Sequence, residues 1–317
     1  MRAGIRRRLP PHLRRDVEIL LRDGVIEEMS RAVSRLADVE VIDLRDCTVS
    51  PGFIDSHVHL TMNAATLAGQ TLGSTATKAL TGPAIARRYL DAGCTTLRDL
   101  GAMDPGNPTI DLRNAIDAGL VRGPRLIVAA HIISPTGGHG DISGFYTSRW
   151  DLPVSTLADD RAAVRAAVRR EHSIGSAWVK TVNAGGYFSF GDDPAVNTWF
   201  DDEMEAPCAT ARQLGMPVAV HTGAADACKQ AIKMGVRSLE HAYLIDEEGV
   251  RMAAESGVFI VPTMQMSSSA PIAGSSRSTT ASRSLQRRWR PVPAPCARSR
   301  PLPQRRHACS AGRTSAP

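Results

Sequence analysis

From Val49 onward the chain alternates short apolar runs with longer stretches of helical periodicity. The short runs are Val49 to Ile54, Thr95 to Leu100, Arg125 to Ala130, Trp178 to Val182, Pro217 to His221, Ser238 to His241 and Val258 to Val261. Apolar segments of this length, bounded by turn residues, read as buried strands. Between them, Leu157 to Glu171 is rich in Ala and Arg, with Ser155 or Thr156 placed to cap it and Asp159 and Asp160 in its first turn. Ala224 to Met234 ends at Gly235, a favourable helix stop, while Pro207 interrupts the otherwise helical Asp201 to Leu214. Strands alternating with helices predict parallel βα units, and a closed (β/α)8 TIM-like barrel is the natural form as the count nears eight. Seven such strands are legible, so the barrel is expected to be incomplete, its eighth strand missing.

The ends of the chain differ in texture. Val17 to Leu21, the Asp23-Gly24 turn, Val25-Ile26 and Val39 to Leu44 predict a hairpin and a further strand, part of a small β domain over residues 1–50. The hydrolytic barrel is then expected over 51–266. Residues 267–317 hold Ser, Arg, Pro and Ala with few aliphatic side chains, too little apolar surface to offset ordering entropy, and predict a disordered basic tail. Out-of-phase reading of GC-rich codons yields this composition, which makes an altered reading frame the favoured account and an interaction tail the alternative.

Charge changes the picture only locally. The net charge is +6, but ten of the 38 basic residues are arginines between Ser275 and Pro317, where no acid occurs, leaving 28 basic against 32 acidic residues elsewhere. A nucleic-acid binder is therefore disfavoured, the more so because the basic segment lacks interleaved aromatics. No apolar run reaches the length of a membrane span and no signal-peptide pattern follows Met1 to Arg15, which makes a cytoplasmic protein the default. The six cysteines are scattered, without the short spacings of metal or redox motifs, and read as reduced thiols.

The chemistry is concentrated at predicted strand ends. In Pro51-Gly52-Phe53-Ile54-Asp55-Ser56-His57-Val58-His59, two histidines stand at i and i+2, a spacing that puts both imidazoles on one face of a strand. Lys180 lies inside the apolar Trp178 to Val182, where a bare ammonium is costly to desolvate. Alone it reads as a lysine paired with a buried carboxylate. His221 and His241 each close an apolar run, at the end of the strand where barrel enzymes assemble their sites. Either could be a core histidine, but four imidazoles and a lysine at strand ends form a pattern.

These segments resemble the amidohydrolase superfamily, binuclear metal branch. More narrowly, Ser134-Pro135-Thr136-Gly137-Gly138-His139-Gly140-Asp141 and Asn183-Ala184-Gly185-Gly186 resemble the group of Xaa-Pro dipeptidases, imidazolonepropionase-like proteins and ochratoxin-degrading amidases. The resemblance covers roughly Val17 to Met264. It implies a hydrolase of amide bonds in dipeptide or N-acyl amino acid substrates, with two divalent metal ions. His57 and His59 would bind the first, a carboxylated Lys180 would bridge, and His221 and His241 would bind the second. Zinc is the ion that imidazole-rich sites favour. His139 would be a catalytic or substrate-side group and Tyr187 a substrate contact.

The sequence departs from that pattern at one point. The family carries an aspartate after the eighth strand that shuttles a proton, and no acidic residue follows Glu255 here. The expected alternative is thus a truncated, catalytically impaired homologue. Unpaired strand edges would favour assembly with another chain, for which a homo-oligomer is the simplest form.

Overall fold

The computed structural model describes residues 16–33, 39–45, 47–62, 73–142, 155–187 and 192–263. The chain divides near Gly52 into two units, and each is described by itself. In the first, β1 (Glu18–Arg22) and β2 (Val25–Ser30) form an antiparallel hairpin turned at Asp23-Gly24. Asp23 and Gly24 both have positive φ, the conformation that tight hairpin turns require. The strand expected at Val39 to Leu44 is not formed: these residues take no regular structure and are exposed. An alternating apolar pattern makes a strand only where another strand pairs with it, and among the described residues nothing does.

The second unit begins with β3 (Phe53–Val58), followed by α1 (Thr75–Asp91), β4 (Cys94–Leu100), α2 (Pro108–Asp117) and β5 (Arg125–Ala129). Then come β6 (Ile132–Ser134), β7 (Thr156–Leu157), α3 (Arg161–Ser173), β8 (Val179–Val182), α4 (Asp201–Gln213) and β9 (Val218–Thr222). The described part closes with α5 (Ala225–Met234), β10 (Ser238–His241), α6 (Glu247–Ser256) and β11 (Phe259–Val261). Every strand pair in this unit is parallel. The hydrogen-bonded orders are β3-β4-β5 and β11-β10-β9-β8-β6-β7. Ala177 N donates to Val128 O at 2.7 Å and Ala130 N to Ser176 Oγ at 3.0 Å, which joins the two sheets where β5 passes the start of β8.

Strands β3, β4, β5, β8, β9, β10 and β11 thus occupy seven successive positions of a β/α barrel, the number legible in the sequence. Among the described residues β3 and β11 each pair with one strand only. The tail expected from residue 267 onward lies outside the described residues.

Two boundaries differ from the sequence reading. The first barrel strand starts at Phe53, not Val49, and runs to Val58, which brings His57 into the strand and His59 just past it. Pro51 has no N–H to give a ladder, and pairing begins where Phe53 N reaches Gly93 O at 2.9 Å. Helix α3 starts after Asp160, whose carboxylate accepts from Ala163 N at 2.7 Å, while Thr156 is held in β7. The Gly235 stop of α5 is as expected, with φ 85°. Pro207 is accommodated within α4.

The apolar faces of α3 and α4 (Val164, Val168, Met204) pack on Val179, Val218, Val220 and Leu239, and α2 packs Ile110 and Leu112 on Leu97 and Val128. This outer layer fixes the strands, and so fixes where their C-terminal ends present side chains.

Candidate metal centre

His57, His59, Lys180, His221 and His241 converge at the C-terminal ends of β3, β8, β9 and β10. The Nε2 atoms of His57 and His59 are 3.3 Å apart. The ring of His241 lies 4.6 Å from that of His57 and 4.5 Å from that of His221, centroid to centroid. Lys180 is 2% exposed, and its Nζ has no hydrogen-bond partner among the described residues. A buried amine without an acceptor is an expensive arrangement for a purely structural lysine.

Each imidazole has one nitrogen engaged by an oxygen. His57 Nδ1 meets Glu240 Oε2 at 2.8 Å and His59 Nδ1 meets Gly101 O at 2.9 Å. His221 Nε2 meets Gly185 O at 3.2 Å, and His241 Nδ1 meets the Thr263 hydroxyl. Carbonyl and carboxylate partners fix the proton on the engaged nitrogen of His57, His59 and His221. The lone pair is then left on the other: Nε2 of His57 and His59, Nδ1 of His221. This is the orienting pattern of metal-ligating histidines. Burial, and then the positive charge of Lys180, hold His57 well below the usual imidazole range. Burial lowers His59 to about 4, and lowers His221 and His241 as well. All four are neutral at physiological pH, the form that binds cations. The contact of His57 with Glu240 is therefore a neutral N–H donating to a carboxylate, not an ion pair.

Burial also lowers Lys180, to about 8, with Glu240 opposing and Arg98 assisting. A substantial unprotonated fraction near neutrality gives this amine nucleophilic character that an exposed lysine lacks.

Among the described residues no three His, Cys, Asp or Glu side chains close around one point as metal ligands do. The imidazoles are instead packed ring against ring. The donor set nevertheless fits divalent cations: four neutral imidazoles with second nitrogens occupied, around an amine that has no other partner.

Beneath these residues lies a layer that the sequence reading did not assign. Glu240, fully buried, accepts from Arg98 Nη2 at 2.7 Å and from Ser238 Oγ at 2.5 Å, besides its bond with His57. Arg98 also donates to Ser56 O at 2.6 Å and lies 4.4 Å over the Trp178 ring. Asp99, pushed up to about 7 by burial, accepts from Leu60 N at 2.7 Å and Gly101 N at 3.2 Å. It thereby holds Gly101, the residue whose carbonyl faces His59 Nδ1. The signal for this layer was present: Arg98, Asp99 and Glu240 are charged residues within strands otherwise read as buried.

His139, on the loop after β6, stacks on His221 at 4.0 Å and 15°, and its Nδ1 is bonded to the carboxylate of Asp192. Gly186 makes that placement possible, since a Cβ there would lie 2.3 Å from His139 Cε1. Tyr187 is 46% exposed and sits edge-on to Tyr243, with ring centroids 5.0 Å apart. Tyr243 in turn stacks on His241 at 5.1 Å. Of the two substrate-side candidates, His139 therefore borders the histidine cluster directly, whereas Tyr187 is in contact with Tyr243.

A β/α barrel with an imidazole-rich cluster and a buried lysine at the C-terminal ends of its strands belongs to a class of hydrolase scaffolds. Residues 48–293 match the amidohydrolase family, and the chain belongs to it. Over 230 residues it is 28% identical to the ochratoxinase of Aspergillus niger, covering 67% of this chain and 47% of that one. It superposes on a solved Xaa-Pro dipeptidase with a TM-score of 0.72 and 32% identity, covering 78% of this chain and 62% of that one. A solved amidohydrolase gives 0.71 and 35%, covering 78% and 61%. These neighbours establish the TIM-like α/β barrel. The chain spans about half the length of the ochratoxinase it matches. Among the described residues no helix is long and apolar enough to cross a membrane.

Proposed function

We propose that this chain carries the centre of a metal-dependent hydrolase acting on amide bonds of dipeptides or N-acyl amino acids. The observation that carries the reading is the convergence of four neutral imidazoles, each with one ring nitrogen engaged by an oxygen, around a buried amine that has no partner among the described residues. The relatives that resemble it agree in chemistry, since both a Xaa-Pro dipeptidase and an ochratoxinase are among them.

His57 and His59 would hold one divalent cation and His221 and His241 a second, with Lys180, carboxylated by carbon dioxide, shared between them. Bound cations, zinc being the ion this donor set suits, supply Lewis acidity that acidifies water and polarises a carbonyl. The chain's own residues do the rest. Glu240 and the Gly101 carbonyl keep the protons of His57 and His59 on Nδ1, so that Nε2 stays turned to the centre. Asp192 holds His139 by its Nδ1 against His221, on the side where a substrate carbonyl would lie. Tyr187 lies further out, as a contact for the substrate's distal part.

Metal analysis with a panel of N-acyl amino acids and Xaa-Pro dipeptides tests the reading. Two ions per chain with turnover support it, and either no metal uptake or metal uptake without turnover of any panel member overturns it.

A further inference from the structure

Tyr243, two residues past the histidine that ends β10, carries none of the roles assigned above. His241 and Ala242 both take positive φ, 72° and 48°, a left-handed conformation that non-glycine residues adopt at a cost. The two strained residues turn the chain sharply after Glu240. Tyr243 is thereby laid back over His241, its ring almost parallel at 11°, with His221 edge-on at 6.1 Å.

Space for this ring is cleared by Gly223, two residues past His221. A Cβ at 223 would lie 3.1 Å from Tyr243 Cδ2 and 2.6 Å from Pro194 O. A side chain there would collide with the Pro194 carbonyl and crowd the tyrosine ring by a few tenths of an ångström.

The hydroxyl at the end of this ring is closed from solvent and has no hydrogen-bond partner among the described residues. Buried tyrosine hydroxyls nearly always find one, because a buried donor left unmade loses its hydration without compensation. An orphan hydroxyl held by strained backbone beside four imidazoles has the character of a group awaiting a ligand. The half-exposed Tyr187 packs edge-on against the same ring, with centroids 5.0 Å apart.

We propose that Tyr243 is a substrate-binding residue whose hydroxyl donates a hydrogen bond to a carbonyl or carboxylate oxygen of an amide substrate seated over His221 and His241. The inference rests on the hydrolase reading of the same centre and adds to it a specific contact.

The test is Tyr243→Phe in the zinc-loaded full chain. Three readouts are compared with the unaltered protein: metal content, Tm, and the Kd for N-methylphosphonate-L-proline, the ligand carried by one solved prolidase that resembles this chain. Tyr243→Phe should keep its metal, keep or raise its Tm because an unpaired buried hydroxyl is removed, and bind the probe about ten-fold more weakly. Equal affinity in both proteins overturns the proposal and leaves the hydrolase reading standing. A clear fall in Tm assigns the hydroxyl a structural partner and also overturns it, as does metal uptake with no probe binding by the unaltered protein. Failure of the unaltered chain to take up metal overturns the hydrolase reading and this inference together.

Discussion

Glu240 and His57 lie 183 residues apart in sequence, yet Glu240 Oε2 accepts the Nδ1 proton of His57 at 2.8 Å in the barrel interior. The same carboxylate is held from below by Arg98 and Ser238. Replacing Glu240 by Ala would leave the Arg98 guanidinium buried with its charge uncompensated, a change that typically costs about 3–5 kcal/mol. Glu240→Gln keeps an acceptor for His57 and the volume of the side chain. We expect urea unfolding to place Glu240→Ala far below the unaltered protein, with Glu240→Gln between them. Metal affinity should fall about 10- to 100-fold in the glutamine variant, as when an orienting partner of a ligating histidine is weakened. Equal stability of all three proteins would contradict the network.

Lys180 sets function against stability. Its amine is buried among four histidines without an acceptor, so Lys180→Met removes an unpaired polar group and fills nearly the same space with an apolar chain. The metal-free variant is expected to be more stable than the metal-free parent by about 1–3 kcal/mol, while its metal content falls. A parent that is the more stable of the two would show that Lys180 has a structural partner in solution.

The fold was legible because hydrophobic patterning reports burial locally. Short apolar runs located every barrel strand, and Gly235 marked the end of α5 through its own backbone preference. The Val39 to Leu44 segment shows the limit: alternation records a capacity to pair, not the presence of a partner. The centre was legible for a similar reason. His57 and His59 share a strand end, and Lys180, His221 and His241 each sit at a fixed place on a neighbouring strand, so barrel geometry brings them together. Partnerships that cross the barrel left no local trace. Arg98 and Glu240 could be noticed as charges in buried strands but not matched to each other, and Asp192 could not be matched to His139 across an intervening loop and helix. The turn that lays Tyr243 over His241 depends on backbone dihedrals that Ala242 does not advertise.

A pH dependence is expected from a site remote from the metal centre. His131 Nδ1 meets Glu171 Oε1 at 2.6 Å and its Nε2 meets Gly106 O at 3.0 Å, so both ring nitrogens face acceptors. Burial works against the charged form, but the Glu171 carboxylate outweighs it and raises His131 above the ordinary imidazole range. A group raised in the folded state adds stability that is fully present below its unfolded pKa, about 6.5. That contribution is lost as pH rises through the folded value. The stability difference between the unaltered protein and His131→Gln should therefore be largest at pH 5.5 to 6.5 and shrink at higher pH. Urea unfolding across pH 5.5 to 9 checks it, and a difference that grows with pH would be incompatible with a charged His131.

Asp192 offers a way to separate orientation of His139 from assembly of the metal centre. Its carboxylate is bonded to His139 Nδ1, and His139 stacks on His221 without sharing its hydrogen bonds. Asp192→Asn keeps the size of the side chain but allows the amide to rotate and present either a donor or an acceptor, so His139 loses a defined tautomer. The variant should take up metal as the unaltered chain does, because none of the four orienting contacts of His57, His59, His221 and His241 involves Asp192. Its kcat against whichever amide substrate the unaltered chain turns over should fall about ten-fold or more, with KM changed less, since removing an interaction made mainly in the transition state lowers kcat rather than binding. Loss of metal together with activity would place Asp192 in the scaffold of the centre. Unchanged kcat would remove His139 from the reaction.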